Sequence, residues 1–375
     1  MLAKEWVGIA TLRTLVKSNR SLVILGEHHS SAAHHDEVVK NLHHAANGVI
    51  EYLQSTEHHP VHIYIELSAA NEEHVRMADK LMLDKAAYLA KINTCFSTIE
   101  RLFNYSMIGE LPSATLHYCN VRDSPPFSVF YLLANPPAFA DLHASILETR
   151  YPLKSKRQAF IRKLVKSLES AFTTHVRSKE DTISFWMSLV SPDVPTPTWY
   201  DAVCEEAMGR TNNMVKLRLE MVRQEHPASY TKLIESYELF LRAFLAQQMQ
   251  HSRVLSKIKR RVNRREAKLS VSKTPIMMND FKHIGDYFGT MLAFIQDIYM
   301  IAQYIGVKNT AHHHLFICGD LHTSFLGHFL KTDKYWSCES GDLVIRPTAE
   351  SAKPNPPFAM DFSQYLTTYL AMPSV

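Results

Sequence analysis

Leu22-Val-Ile-Leu-Gly-Glu-His-His-Ser30 carries the clearest indication of the fold, and Leu315-Phe-Ile-Cys-Gly-Asp-Leu-His-Thr323 repeats its pattern almost 300 residues later. In each stretch an apolar run stops at a glycine, and an acid and a histidine follow. Such a run is typical of a buried strand, and a glycine allows a sharp turn at its carboxyl end. Ligands of open α/β sheets bind at that edge. We therefore expect two neighbouring strands that share one site; the alternative is two unrelated core strands with polar caps.

Strand-like and helical segments alternate in the first part of the chain, and the alternation returns at its end. Strands are expected at 22–25, 61–67, 114–121, 315–318 and 342–346, and helices at 31–54, 70–105, 280–305 and 324–331. Strands separated by helices are typical of βαβ units and a parallel sheet. The sequence therefore predicts an α/β fold with a mixed or mostly parallel central sheet flanked by helices.

The middle of the chain shows no strand pattern. Apolar residues at helical spacing predict helices at 157–171, 199–224 and 229–250. We therefore expect the first half of an α/β domain at 1–135, a large all-helical insertion or lid at 136–275, and the second half of the α/β domain at 276–375. Two independent domains are the alternative.

Composition bounds the class of protein. A hydrophobic fraction of 46% and a charged fraction of 21% are those of a soluble globular protein, and a net charge of +4 is too mild to indicate nucleic-acid binding by itself. The five cysteines are scattered, which favours a reducing, cytoplasmic compartment over a disulfide framework. The apolar stretch at 287–305 contains Gln296 and Asp297, so we expect a buried helix and no transmembrane segment.

Histidine is unusually frequent, with 21 residues, many of them in clusters. We expect most of the clustered histidines at the surface, where they make the net charge sensitive to pH between about 5 and 8. The chain carries none of the sequence patterns of dinucleotide binding, P-loop phosphoryl transfer, zincin proteases or α/β-hydrolases.

Acids and histidines follow three of the expected strands. Glu27 and His29 alternate, so their side chains face the same way in an extended turn, and Asp320 and His322 repeat that spacing. Glu66 ends the second strand, where a carboxylate among apolar residues needs a partner. A carboxylate and an imidazole that converge can act as general base and acid, or as metal ligands. Alternatively, Glu27 caps a helix, the histidines are exposed and Glu66 lies just outside the core.

Three residues are candidates for binding substrate. Asp320 follows the late strand, Arg122 follows the third strand at the same edge, and Tyr299 lies two residues after Asp297 in the apolar helix. For Arg122 and Tyr299 a structural ion pair or an ordinary surface position is the alternative.

The motifs occur in the order G-E-x-H, E and G-x-x-H, at Gly26, Glu27 and His29, then Glu66, then Gly319 and His322. This order resembles the superfamily of erythromycin esterases, ChaN-type haem-binding lipoproteins, Tiki-type Wnt proteases and TraB/PrgY pheromone-shutdown proteins. The resemblance covers the two ends of the chain and not its helical middle. Asp297-x-Tyr299, followed by G-D-x-H, also looks like members encoded by large DNA viruses. The resemblance implies a hydrolase site whose Glu and His residues activate a water or bind a divalent metal ion.

Two classes of function follow from this resemblance. In a hydrolase of ester or peptide bonds, Glu27 or His29 would deprotonate the attacking water, and Glu66 and His322 would orient the water or stabilise charge. In a metal-assisted version of the hydrolase, the ion would be held by His29, His322 and Glu66. Alternatively, the chain is an inactive member that acts as a structural or interaction protein, such as a virion component, with self-association or virion partners.

A basic segment at 251–268 is a separate feature. It contains eight Lys and Arg residues and a single Glu, with an apolar stripe at Val254, Ile258 and Val262. Such a helix can bind nucleic acid or an anionic membrane, or it can be a solvated helix that packs by its stripe.

Overall fold

The computed structural model describes residues 9–17, 20–27, 61–66, 114–209, 212–247, 249–263, 275–308, 313–332 and 343–345. The chain divides into two compact units, one formed by Met1–Asn120 with Gln303–Val375 and the other by Val121–Ala302. The sequence-based division placed its boundaries elsewhere, after residues 135 and 275. The helices expected at 31–54 and 70–105, and His29, lie outside the described residues.

The first unit contains a six-stranded sheet. Its strands are β1 (Ile9–Lys17), β2 (Arg20–Glu27), β3 (Val61–Ile65), β4 (Ala114–Tyr118), β5 (His313–Gly319) and β6 (Leu343–Ile345). They follow the order β4-β3-β5-β2-β1-β6. The four strands from β4 to β2 are parallel, and β1 is antiparallel to both of its neighbours. The predicted α/β class with a mixed sheet is confirmed.

The central strands are apolar because both of their faces are covered. Ile24 of β2 and its register partner Phe316 of β5 are fully buried on one face, and Val23 and its partner Leu315 are 7% and 1% exposed on the other. Parallel strands buried on both faces read as continuous apolar runs, which is why the sequence pattern located them. A helix over Asp320–Thr332 follows β5 without a loop and packs on β1, β2 and β5.

The second unit consists of helices and the loops between them, with no strand among its described residues. After a 3-10 turn at Phe127–Phe130, its helices are α1 (Tyr131–Ala134), α2 (Pro136–Leu142), α3 (Ala144–Arg150), α4 (Lys154–His175), α5 (Lys179–Val190), α6 (Thr198–Met208), α7 (Met214–Glu225), α8 (Pro227–Gln247), α9 (Met249–Asn263) and α10 (Pro275–Val307). The helix that follows β5 in the first unit is called α11 (Asp320–Thr332). The division between the two units falls inside α10.

The single helix expected at 199–224 is wrong, because the chain forms α6 and α7 there. Gly209 ends α6 with a φ of 69°, a left-handed conformation that favours glycine. Asn213 then begins α7, and its side chain accepts hydrogen bonds from the backbone N–H groups of Val215 and Lys216.

Stacked aromatic rings form the core of the second unit. The ring of Phe130 lies 4.8 Å from that of Trp186, 5.4 Å from that of Tyr200 and 5.1 Å from that of Phe288. Phe288 belongs to the stretch His283–Val307 of α10, which is long and apolar enough to cross a membrane by length and composition, yet 72% of its most apolar window is buried in the protein. Such burial is the pattern of a core helix, as predicted, and no other helix in the described ranges meets these criteria.

Candidate functional site

Glu66 is held at the carboxyl end of β3 by backbone hydrogen bonds on both sides. Its own N–H donates to the carbonyl of Ile317 on β5 at 3.0 Å, and the carbonyl of the preceding Ile65 accepts from Cys119, just after β4, at 2.8 Å. These bonds extend both parallel ladders one step beyond β3. The backbone at Glu66 is therefore as rigid as the sheet itself, and its side chain leaves from the edge where ligands of α/β sheets bind.

The Glu66 carboxylate makes two contacts with the segment that follows β5. Its Oε2 accepts a hydrogen bond of 2.7 Å from the backbone N–H of Gly319, and its Oε1 lies 3.3 Å from Nε2 of His322. The side chains of Glu66 and His322 are 1% and 5% exposed. Since the N-terminus of α11 carries a partial positive charge, it stabilises the buried carboxylate as well. The sequence-based expectation that Glu66 would find a partner is met by this geometry.

The backbone of Glu27 lies at the same level of the sheet. Glu27 pairs in register with Gly319 across β2 and β5, and Gly26 pairs with Cys318. The ends of β2, β3 and β5 therefore meet around Gly319, so that Glu27, Glu66 and His322 belong to one edge. The position of the Glu27 side chain and the whole of His29 are outside the described part of the chain.

Asp320 does not follow the extended pattern that the sequence suggested. α11 begins at Asp320, so that Asp320 and His322 lie in the first helical turn. Residues two apart in a helix do not share a face, whereas in an extended chain they do. The extended turn predicted at Asp320 and His322 is therefore wrong for the backbone, and the role of Asp320 in substrate binding stays a prediction.

Arg122 and Tyr299 belong to the other unit, Val121–Ala302. Arg122 precedes Asp123 in the sequence. Burial raises the pKa of the Asp123 carboxyl, whereas the charge of Arg122 and a hydrogen bond with Tyr131 act to lower it. Tyr299 is 6% exposed within α10. The proposed roles of Arg122 and Tyr299 in substrate binding stay predictions.

A second group of ionisable residues lies on the sheet, and sequence reasoning did not identify it. Nδ1 of His62 on β3 lies 2.7 Å from Nε2 of His117 on β4, and Nδ1 of His314 on β5 lies 3.1 Å from the hydroxyl oxygen of Tyr64. The rings of His62 and His314 also stack, with 5.9 Å between their centroids. We call these four residues the imidazole array. The alternation V-H-I-Y-I-E in β3 is the signal for it, because it puts His62, Tyr64 and Glu66 on one face.

Burial disfavours the charged form of two members of the imidazole array, His62 and His314. Burial and, to a smaller extent, the neighbouring His62 lower the pKa of His314 to about 3, whereas a backbone hydrogen bond at Lys308 acts to raise it. Burial also lowers the pKa of His62. His314 is 1% exposed. Most of the other clustered histidines lie outside the described residues, so the expectation that most of them are exposed stays a prediction.

A metal site needs at least one more ligand than the described residues supply. Two of the three predicted ligands, Glu66 and His322, are in contact, and the third is His29, which lies outside the described residues. Within the described ranges no group of three or more His, Cys, Asp or Glu residues could hold a metal ion. The contact does fit one known arrangement, in which a metal-bound histidine gives its other ring nitrogen to a carboxylate.

Comparison with known proteins finds no match to this chain among protein-family models, curated proteins or solved structures. The resemblance of the Glu and His motifs to the esterase superfamily accordingly stays an expectation from sequence.

Proposed function

We propose that this protein is a hydrolase of ester or peptide bonds, with Glu66 and His322 at the centre of its site. The contact of 3.3 Å between Glu66 Oε1 and His322 Nε2, at the carboxyl edge of the parallel strands, is the observation that carries the proposal. A base in contact with a carboxylate that orients it is the recurring arrangement of hydrolytic sites.

The proposal gives the two residues different tasks. In neutral His322, Nε2–H donates to Glu66, and Nδ1 is then the nitrogen that accepts a proton from water. The hydroxide formed attacks the substrate carbonyl, and His322 returns the proton to the leaving oxygen or nitrogen. Glu66 fixes the ring and stabilises the imidazolium, while the Gly319 N–H keeps the carboxylate in place. The sequence alone assigned proton abstraction to Glu27 or His29, and this proposal moves it to His322.

A metal-assisted version of the same reaction remains part of the proposal. His29 and His322 would bind a divalent ion, with Glu66 as a ligand or as the outer partner of His322. The ion would supply a water of lowered pKa. Metal content is measured by plasma mass spectrometry on tag-free protein, wild type beside His29→Ala. Near-stoichiometric metal that is lost in the variant supports this version, and metal-free protein supports the version without an ion.

Activity is tested with the purified full chain on p-nitrophenyl esters and a fluorogenic peptide library. We expect His322→Gln and Glu66→Gln each to lower kcat at least ~100-fold, the lower range for general acid–base catalysis, with little change in KM. His143→Gln is the matched control, because His143 is also buried but contacts Ser128 in the other unit. Full activity in the folded His322→Gln variant would refute the assignment. Inactivity of the wild type on every probe would favour the structural alternative, including the virion component.

A further inference from the structure

One helix of the second unit combines a strong positive charge with a fixed orientation. α9 contains five Lys and Arg residues and no acid. Arg253, Lys257 and Arg260 follow i, i+4, i+7 spacing, so they lie along one face of the helix over about 10 Å. We call these three residues the basic stripe. A pattern of this kind can be a solvated surface or a binding surface, and its surroundings distinguish the two.

The apolar side of α9 is already used in packing. Val254 and Ile258 are 1% and 0% exposed, and α9 lies against α4. Arg253 and Arg260 are exposed. The helix cannot turn its apolar residues outward without leaving the core, so Arg253 and Arg260 at the two ends of the basic stripe stay exposed, while Lys257 between them is half-buried.

The neighbouring α4 adds to the positive charge. Arg162 and Lys166 are exposed one turn apart on α4, whereas the intervening Lys163 is neutralised by Glu206 at 2.6 Å. Arg162, Lys166, Arg253 and Arg260 form no ion pair with another described residue. These exposed cations on two packed helices increase the positive charge of the second unit's surface, which attracts a polyanion.

We propose that the basic stripe binds the phosphodiester backbone of nucleic acid without sequence preference. Nucleic acid offers fixed phosphates at a spacing that several cations on one rigid helix can meet at once. A helix that lies on a membrane instead inserts its apolar face among the lipids, and in α9 that face is buried against protein. Phosphate contacts from Arg and Lys position nucleic acid but read no bases, which accounts for the lack of sequence preference. The proposal is independent of the hydrolase site.

The test measures binding of the full chain to a fluorescein-labelled, random-sequence DNA duplex of roughly 20 base pairs by anisotropy, between about 50 and 200 mM salt. The double variant Arg253→Gln with Arg260→Gln removes two ends of the basic stripe. The charge-matched control is Lys154→Gln with Lys179→Gln, since both lysines are exposed and lie at the starts of α4 and α5. A second variant, Arg253→Lys with Arg260→Lys, keeps the charge.

We expect wild type, control and the lysine variant to bind alike, with log Kd rising linearly with log salt. The glutamine variant should bind more weakly, with a slope shallower by about 1.8, because each lost phosphate contact removes about 0.9. Three results would overturn the proposal. They are no wild-type binding at the lowest salt, an equal loss of slope in the control, and binding to phosphatidylserine vesicles but not to DNA.

Discussion

Acid should weaken the sheet because His314 stays neutral when folded. The folded pKa of His314 is about 3, and the unfolded value is the ordinary 6.5. Between these two values the unfolded chain binds one more proton than the folded protein, so stability falls as pH falls. The contribution of neutral His314 to the free energy of unfolding is complete above about pH 6.5. It declines by up to about 1.4 kcal/mol for each pH unit below that value. At pH 5 the loss amounts to about 2 kcal/mol from this residue alone.

The substitution His314→Gln removes the titrating group while keeping an amide that can bond to the Tyr64 hydroxyl. The absolute stability of the variant will also change, because the ring contacts with Tyr64 and His62 are lost. The comparison is therefore between slopes of stability against pH. His175→Gln is the control, because it makes the same substitution at an exposed histidine of the other unit.

Hydrogen exchange read by mass spectrometry on the β5 peptide is the suitable assay, since it reports on the strand that contains residue 314. After correction for intrinsic exchange, wild-type protection should fall between pH 7 and pH 5 by ~30-fold more than in His314→Gln, the equivalent of about 2 kcal/mol. The protection of the β5 peptide should still fall with pH to some extent in His314→Gln, because burial also lowers the pKa of His62. Parallel slopes in the two proteins would show that the fold does not lower the pKa of His314, and the prediction would be wrong.

Two further predictions concern the helical unit. Ser178→Ala removes the capping box that Ser178 and Asp181 form at the start of α5. It should lower the free energy of unfolding, measured by urea denaturation, by about 1 kcal/mol. An unchanged denaturation midpoint would contradict the role of the cap. Cys204 is buried beside Tyr200, and burial raises the pKa of its thiol. Iodoacetamide should therefore label Cys204 only after unfolding, as read by peptide mapping. Labelling of Cys204 in the native protein would contradict this burial.

The strands that carry the candidate site were predictable because each is an apolar run that ends in polar residues. β1 was missed because its residues, Ile9-Ala-Thr-Leu-Arg-Thr-Leu-Val-Lys17, show no regular alternation. Its pairing with β2 leaves only Ser18 and Asn19 between Lys17 and Arg20, and a short polar pair between two β-prone runs is a hairpin signal.

Helix ends and side-chain partners were harder to predict than the strands. Gly209 carries the signal that divides α6 from α7, but apolar spacing on both sides continued the pattern across it. Asp320 begins α11 directly after β5, where local sequence allowed an extended turn equally well. The contact between Glu66 and His322 joins residues far apart in the chain, so only the strand order brings them together, and that order cannot be read from periodicity.

The position of β5 has a consequence for biosynthesis. β5 lies between β3 and β2, although it is made long after both of them. On the ribosome, the two early strands therefore keep their inner edges unpaired until residues 313–319 have emerged. Exposed strand edges attract other chains, and pairings across such long stretches of sequence form slowly. Nascent chains released before residue 313 would lack the centre of the sheet rather than its margin, and we expect them to require a chaperone to remain soluble.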